Sequence, residues 1–375
     1  MGEGASPFSI AVMARTVADV LAGLSAHAPL SKAAGWDPVG LQLGALDAPA
    51  GRVGVAHEVT DDVLARVEAD GVELLVAYHP LLFRATNRLT AGRTPEGRAY
   101  RLVRAGVALA VVHTAFDVAP GGAADRLAEA LDLEGCRGFG PLWPADSVKV
   151  VVFAPEEDAE TLIAAMSASG AGEIGGYTSC SFRAPGTATF YPPETARPAV
   201  GVAGRMNREP EVRIEMIAPK DRADAVVAAV VAAHRYEEPA YDVVEVSASA
   251  GFVGRVGSLA PPATLEDVAA RVGSRLCTPV RFAGDPHRTV ETMAVVPGSG
   301  APFLGAAAGM ADLMVTGDVS HHRAREAIDR GLAIIDAGHV PTERPGVGAL
   351  YALVSELVPD AADLTTIDPH PWKER

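Results

Sequence analysis

The stretch Val72-Glu-Leu-Leu-Val-Ala-Tyr-His-Pro80 runs from an apolar strand pattern directly into side chains that bind metals. Three more apolar runs end in the same way: Val107–Val112 before His113 and Asp117, Leu313–Val315 before Asp318, and Leu332–Ile335 before His339. In open α/β sheets, ligands bind in the crevice beyond the carboxyl ends of the strands. Polar side chains at four such ends, two near each end of the chain, therefore predict one site assembled from distant parts of the sequence.

The composition is that of a globular protein from a reducing compartment. Apolar residues make up 49% of the 375 positions, and no run reaches the roughly 20 apolar residues that cross a bilayer. Three widely spaced cysteines without a CxxC pair disfavour a disulfide framework or a cysteine zinc cage. The net charge of −15 disfavours a nucleic-acid partner, because such binding depends on neutralising phosphates. The N-terminus lacks the features of a secretory signal, so we expect a cytoplasmic protein without a membrane partner.

Strand and helix patterns alternate in the first and last thirds of the chain. The lengths of these strands and helices are typical of βαβ units and predict a largely parallel sheet. This holds between Val53 and Leu131, and again between Leu265 and Val358. The middle contains two strand–helix–strand patterns separated by a Gly-, Ser-, Thr- and Pro-rich stretch over residues 169–198. We therefore predict an α/β domain in two halves, residues 1–145 and 251–375, interrupted by a ferredoxin-like α+β module at residues 146–250.

The candidate residues of the first half each have an ordinary structural interpretation as well. His79 stands before Pro80 and is compatible with a simple turn residue. Asp117 can cap the next helix through an Asx turn. These two residues taken singly therefore leave a structural role open.

The candidates of the second half are open to the same question. His339 and Glu343 are spaced by one helical turn, but Pro341 between them favours a loop. Asp318 can simply begin the helix that carries His322. The set nevertheless means more than its members, because imidazole and carboxylate groups at one sheet edge are typical ligands of Zn, Fe or Mn.

Several ordered motifs resemble one known family, the Nif-three-like proteins, also called GTP cyclohydrolase 1 type 2 homologues. Four of them are similar to the family's signatures: Trp36-Asp-Pro-Val-Gly-Leu-Gln-Leu-Gly44, His113-Thr-Ala-Phe-Asp-Val-Ala-Pro-Gly-Gly122, Thr316-Gly-Asp-Val-Ser-His-His322 and Asp336-Ala-Gly-His-Val-Pro-Thr-Glu343. The middle segment is similar to the longer bacterial subtype: Gly172–Phe182, Gly186–Phe190 and His234-Arg-Tyr-Glu-Glu-Pro-Ala-Tyr-Asp242. In that subtype a module resembling the PII signalling proteins lies between the two halves. The resemblance covers nearly the whole chain.

The resemblance implies a three-layer α/β domain with a PII-like insert, assembled into a toroidal homohexamer. It also implies a dinuclear metal centre in each subunit, with divalent ions such as Zn, Fe or Mn. Carried over by motif, the ligands are His79, Asp117, His339 and Glu343. The family commonly has two adjacent histidines where this chain has Tyr78-His79, so the number of ions, one or two, stays open.

Tyr78 is the main departure from the family pattern. A phenol with a pKa of about 10 is a poor ligand for Zn²⁺ at neutral pH. Either one ion is held more weakly, or another side chain takes the place of the missing imidazole. His113, four residues before Asp117, and His57, at the end of a strand, are the candidates for that substitution.

The expected function is a metal-dependent hydrolase that acts on a nucleotide or related heterocycle through metal-activated water. The family name implies opening of the guanine imidazole ring of GTP. Asp318 and His322 are candidates for orienting a ligand or moving a proton, and Val296-Pro-Gly-Ser-Gly300 is compatible with a phosphate-binding turn. The alternative is a non-catalytic metal-binding or regulatory hexamer whose PII-like insert senses a small ligand.

Overall fold

The computed structural model describes residues 15–142, 147–174, 177–246 and 251–372. They fall into two compact units. The first unit combines residues 15–142 with 251–372, and the second contains the residues between them. The predicted limits at residues 145, 146 and 250 lie outside the described residues.

The strands and helices of the described residues are numbered in chain order. The strands are β1 (Gly40–Leu43), β2 (Val53–Ala56), β3 (Leu74–Ala77), β4 (Ala108–Val111), β5 (Leu133–Leu142), β6 (Ser147–Ala154), β7 (Phe182–Phe190), β8 (Asn207–Pro219), β9 (Tyr241–Val246), β10 (Gly251–Thr264), β11 (Arg281–Ala283), β12 (Thr289–Val295), β13 (Leu313–Thr316), β14 (Ala333–Asp336) and β15 (Ala362–Asp363). The helices are α1 (Val17–His27), α2 (Asp61–Asp70), α3 (Pro95–Ala105), α4 (His113–Val118), α5 (Ala123–Ala130), α6 (Ala159–Ala168), α7 (Ala223–Ala233), α8 (Leu265–Leu276), α9 (Leu304–Ala308), α10 (His321–Asp329) and α11 (His339–Leu357).

The first unit contains two sheets rather than the single one expected. The first sheet has the order β1-β4-β3-β2-β15, in which β15, β2, β3 and β4 are parallel and β1 is antiparallel to β4. All four residues of each of β2, β3 and β4 are buried, as expected for strands covered on both faces. Helices α1 and α11 pack on one face, while α2 and α3 pack on the other.

The second sheet of this unit has the order β11-β14-β13-β12-β10-β5. Its centre, β12 to β14, is parallel, and the flanking strands are antiparallel. The long strands β5 and β10 were not predicted. Glycines and prolines interrupt their apolar pattern, and more than half of the residues of β10 are not buried. Pairing with neighbouring strands therefore determines β5 and β10, which the local hydrophobic periodicity does not predict.

Helix capping explains where two helices of the first unit begin. The Thr60 hydroxyl accepts a hydrogen bond from the Val63 amide at the start of α2, and the Thr264 hydroxyl caps α8 through the Asp267 amide. Gly71 then ends α2 with a φ of 64°, which glycine adopts at little cost. Local signals therefore suffice for these helices.

The second unit has the element order β6-α6-β7-β8-α7-β9. Its four strands form an antiparallel sheet in the order β7-β8-β6-β9. Its core lies between the sheet and the inner faces of α6 and α7, and includes Val150, Leu162, Ile214 and Val226. The relation of this unit to PII-like modules, and the three-layer arrangement of the first unit, stay predictions.

None of the helices in the described part of the chain is both long and apolar enough to cross a bilayer.

Candidate metal centre

The carboxylate of Glu343 is the centre of the candidate site and is 3% exposed. Its Oε2 lies 2.7 Å from Nε2 of His57 and 2.9 Å from Nε2 of His79. Its Oε1 lies 3.1 Å from Nε2 of His339. These four residues, named the Glu343 cluster below, place three imidazole rings around one buried carboxylate.

His339 and Glu343 lie on the first turns of α11, which begins at His339. The expectation of a loop around Pro341 is therefore wrong. The first four amides of a helix have no intrahelical acceptor, so a proline in that turn removes no hydrogen bond. The helix then brings the i and i+4 side chains to the same face. Gly338, with a φ of 85°, makes the turn between β14 and the helix.

His57 and His79 come from neighbouring parallel strands. His57 follows β2 and His79 follows Tyr78 at the end of β3, and the His79 amide donates to the His57 carbonyl at 3.0 Å. The two rings stack with their centroids 5.3 Å apart. The sequence named His57 only as one of two substitutes, but the structure brings it directly to Glu343.

The cluster lies between the carboxyl ends of strands from two sheets. His57 and His79 belong to the first sheet, while His339 and Glu343 follow β14 of the second. The prediction that distant halves of the chain contribute to one location agrees with these contacts. The picture of a single sheet edge is wrong, because the parallel strands are divided between two sheets.

Asp117 lies beside the cluster and is hydrogen-bonded to Tyr78. The Tyr78 hydroxyl donates to Oδ1 of Asp117, and both side chains are buried. Burial raises the pKa of Asp117 to about 6. Burial and the neighbouring carboxylates raise the pKa of Tyr78 well above its ordinary value, so the phenol keeps its proton and donates it. Tyr78 therefore orients Asp117 as a hydrogen-bond donor.

His113 is held by Asp37 from the Trp36–Gly44 motif. Its Nδ1 lies 2.9 Å from Oδ1 of Asp37, and the Thr114 amide donates to the other carboxylate oxygen at 3.0 Å. The ring centroid of His113 lies 4.9 Å from that of His79. His113 takes a φ of 27°, an uncommon backbone conformation of the kind found at functional sites. Burial lowers the pKa of His113, but the hydrogen bond to Asp37 and the nearby carboxylates outweigh it and raise the pKa.

The two residues expected to support the site differ in position. Asp318, with a φ of 57°, reaches Nδ1 of His339 through its Oδ2 at 2.6 Å. It therefore orients the ring whose Nε2 faces Glu343. His322 is exposed on α10 and its ring packs against His321 at a centroid distance of 5.5 Å. Among the described residues, His322 makes no contact with the cluster.

The turn Val296–Gly300 does not present its amides as a phosphate cradle. The Gly298 amide donates to the Thr342 hydroxyl at 2.9 Å, and the Gly300 amide donates to the Thr316 hydroxyl at 2.8 Å. Gly298 instead provides space for the cluster. It has a φ of +63°, and a Cβ at this position would lie 2.4 Å from Oε1 of Glu343.

The charges of the cluster depend on one another. Burial raises the pKa of Glu343, but the imidazoles of His79, His339 and His57 outweigh it and hold the pKa well below its usual range. Burial lowers the pKa of His339, whereas its hydrogen bonds to Glu343 and Asp318 raise it to about 9. A carboxylate that stays ionised in a buried position is suited to holding a cation.

A cavity of about 630 Å³ opens beside the cluster. His79, His113, Asp117, His339 and Glu343 form its polar side. Its other walls are mostly apolar and include two exposed aromatic rings, Trp36 and Phe83, with centroids 5.9 Å apart. The volume is that of a small-molecule site.

The donor set fits a divalent metal. The ligand atoms of His57, His79 and Glu343 all lie within 4.8 Å of one another. Imidazole and carboxylate suit Zn, Fe and Mn. Ion pairing alone also accounts for the contacts, but it does not require three rings on one carboxylate or the close approach of Gly298 to it.

Comparison with known proteins agrees with the sequence motifs. Residues 15–370 match the family model described as DUF34/NIF3 (NGG1p interacting factor 3). A Mycobacterium tuberculosis protein named GTP cyclohydrolase 1 type 2 homolog is 38% identical over 346 residues, which cover 90% of each chain. A Bacillus subtilis protein of the same name is 36% identical over 316 residues, covering 83% of this chain and 84% of its own.

Solved structures show the same relationship. A Bacillus cereus protein described as related to NIF3 has 32% identity and a TM-score of 0.62, covering 96% of this chain and 99% of its own. A Staphylococcus aureus protein has 26% identity and a TM-score of 0.64, with coverage of 97% and 100%. The resemblance drawn from the motifs is confirmed, and the chain belongs to the DUF34/NIF3 family.

Proposed function

We propose that this protein binds divalent metal at the Glu343 cluster and hydrolyses a nucleotide or related heterocycle in the adjoining cavity. The observation that carries the proposal is the buried Glu343 carboxylate with three imidazole nitrogens within 3.1 Å. The proposed ligands are His79, Asp117, His339 and Glu343, as the motifs imply, with His57 added by its contact with Glu343.

The two oxygens of Glu343 face different partners, which suits a carboxylate shared between two ions. Oε2 faces His57 and His79, so these residues would hold one ion. Oε1 faces His339, which would hold the second. His57 therefore supplies an imidazole that Tyr78 does not, and Tyr78 positions Asp117.

Bound divalent ions at such a centre polarise the group under attack and lower the pKa of a coordinated water. The side chains of this chain supply binding and orientation. Asp318 fixes the ring of His339, and Asp37 fixes His113 through Nδ1. Nε2 of His113 is then the nitrogen available for proton transfer. The apolar walls with Trp36 and Phe83 suit a flat heterocyclic ring.

The second candidate function is a metal-binding or regulatory assembly without turnover, in which the second unit senses a small ligand. Two observations favour it: Tyr78, which stands where the family commonly has a histidine, donates to Asp117, and the second unit has a cavity of its own. The order β-α-β-β-α-β is that of ferredoxin-like modules and supports a PII-like assignment of this unit. For both candidate functions, we propose that the protein is a cytoplasmic homohexamer.

The first experiment measures metal per subunit by elemental analysis of protein purified without added metal. We compare the parent with His57→Asn, Asp117→Ala and Tyr78→His, and use the exposed His287→Asn as the matched control. We expect bound metal in the parent and in His287→Asn, and a loss in His57→Asn and Asp117→Ala. Metal at background in the parent, or equal metal in all variants, would contradict the site.

The second experiment separates the two candidate functions. Metal-loaded and chelated protein are tested for hydrolysis of GTP, other nucleotides and related heterocycles. Turnover that follows metal occupancy and falls in His57→Asn favours the hydrolase. Full metal occupancy without turnover across the panel favours the regulatory assembly.

A further inference from the structure

The second unit contains a cavity of about 600 Å³ that is separate from the metal centre. The residues that line it come from β6, the segment around β7 and its following loop, β8 and the loop before β9. Its volume lies in the range of small-molecule sites, roughly 300–1,000 Å³. Its chemistry differs from that of the metal centre and indicates a different kind of ligand.

The deepest charged group of this cavity is Glu211, which is 8% exposed. Oε1 of Glu211 accepts a hydrogen bond from the Tyr236 hydroxyl at 2.7 Å. In the described part of the chain, Oε2 receives no hydrogen bond. A buried carboxylate is usually paired with a cation, because removing its charge from water is costly. A single neutral phenol does not supply that pairing.

The neighbouring basic groups do not neutralise Glu211. His234 accepts the Tyr236 amide at Nδ1, at 3.0 Å, so its proton lies on Nε2, which donates to the Phe153 carbonyl at 3.1 Å. His234 is therefore neutral in this network. Arg235 is paired with Glu157, with 2.9 Å between the nearest atoms.

The cavity lining reinforces the negative charge. Glu237 and Glu238 follow Tyr236 and also line the cavity. None of its described lining residues is lysine or arginine. A phosphate or carboxylate ligand would therefore meet three carboxylates, and the Arg213 guanidinium over the Phe153 ring is already paired with Glu215, so the charges disfavour anionic nucleotides in this cavity.

The remaining walls are aromatic and proline-rich. Phe153, Phe190, Tyr191 and Tyr236 contribute rings, and prolines from the loop after β7 contribute apolar surface without amide donors. Aromatic faces attract ammonium and guanidinium groups, and apolar surface favours a ligand with a hydrocarbon body. Charge and surface therefore point to the same class of molecule.

We propose that this cavity binds a small organic cation, an ammonium or guanidinium group carried on an apolar or aromatic body. The cationic group pairs with Glu211 and the body contacts the aromatic walls. Tyr236 is a positioning residue that holds the carboxylate toward the cavity. Binding here does not depend on the metal centre, and the proposal stands whichever function that centre has.

The test is isothermal titration calorimetry of the full chain with phenethylammonium, its neutral analogue 2-phenylethanol and the anion phenylacetate. We expect the ammonium to bind at least about tenfold more tightly than the alcohol, and the anion not to bind. Glu211→Gln should weaken ammonium binding about tenfold, which matches the loss of one buried charge pair. Glu209→Gln, on the same strand but outside the cavity lining, should leave it unchanged.

The controls make each result decisive. If Glu211→Gln fails to fold by circular dichroism, Tyr236→Phe serves as the second variant, with weaker ammonium binding expected. Glu343→Gln should retain ammonium binding, which separates this cavity from the metal centre. No ammonium binding, equal binding of ammonium and alcohol, or equal losses in Glu211→Gln and Glu209→Gln would each overturn the proposal.

Discussion

Each of the two units of this protein has a buried glutamate that lines a cavity, and the two carboxylates differ in their partners. Glu343 in the first unit lies within 3.1 Å of three imidazole nitrogens. Glu211 in the second unit accepts one bond from a phenol, and the adjacent histidine is neutral. Both are less than a tenth exposed.

The difference shows that burial alone does not determine what a carboxylate binds. The imidazole nitrogens around Glu343 offer the several converging donors that a metal ion needs. Aromatic rings around Glu211 supply no such donors but do favour an organic cation. The partners contributed by the fold therefore assign each glutamate its class of ligand.

The largest expected effect comes from removing the charge of each glutamate in turn. Glu343→Gln keeps the shape of the side chain but removes the charge shared by three imidazoles, so metal content should fall by at least about tenfold. Glu211→Gln should leave metal content unchanged. Elemental analysis of both variants beside the parent measures this. Equal metal in the two variants would remove the distinction between the two sites.

The next effect tests the space that Gly298 leaves for Glu343. Gly298→Ala combines a strained positive φ with a Cβ 2.4 Å from Oε1 of Glu343 and should cost about 3 kcal/mol of stability. Chemical denaturation with a chelator present measures it. Gly106→Ala is the matched control, because Gly106 has a φ of +72° but no atom within 4 Å of its Cβ position. That change should cost about 1 kcal/mol. Similar losses of stability in Gly298→Ala and Gly106→Ala would mean that the Glu343 cluster shifts at little cost to accommodate the added methyl group.

Tyr78→Phe tests the hydrogen bond that Tyr78 donates from the position where the family commonly has a histidine. It leaves the buried Asp117 without its phenol donor and should destabilise the metal-free protein by about 2 kcal/mol, as measured by chemical denaturation. Tyr351→Phe is the control, since the Tyr351 hydroxyl lies 3.5 Å from its nearest acceptor, and it should change stability by less than about 0.5 kcal/mol. An unchanged stability for Tyr78→Phe would show that the phenol does not orient Asp117.

The smallest effect is expected for the corresponding change in the second unit. Tyr236→Phe removes the donor to Glu211 and should cost about 1 kcal/mol, since both groups border a cavity that admits water. Tyr177→Phe, at a position 77% exposed, should have no measurable effect. Thermal unfolding of both variants checks this, and metal content should stay at the parent level. A larger loss of stability in Tyr236→Phe than in Tyr78→Phe would contradict the expectation that the hydrogen bond to Asp117 contributes more than the one to Glu211.

The sequence predicted the part of the candidate metal centre that local patterns encode. His79, Asp117, His339 and Glu343 each follow an apolar strand, and the carboxyl ends of parallel strands are where α/β sheets place ligands. Helices α2 and α8 were predictable because a threonine caps each one. Family membership could also be predicted from the sequence, because each motif keeps the family's residue types at the family's spacing.

Tertiary structure decided the remainder. His57 meets Glu343 across 286 positions because two sheets pack together, and no local pattern distinguishes it from any other histidine at a strand end. Pro341 suggested a loop, but its place in the first helical turn made it compatible with α11. Glu211 and Tyr236, 25 residues apart, carried no signal of burial in their segments. Sequence alone determined which chemical groups are present and which strands present them, whereas packing between sheets and loops decided which groups share one buried site.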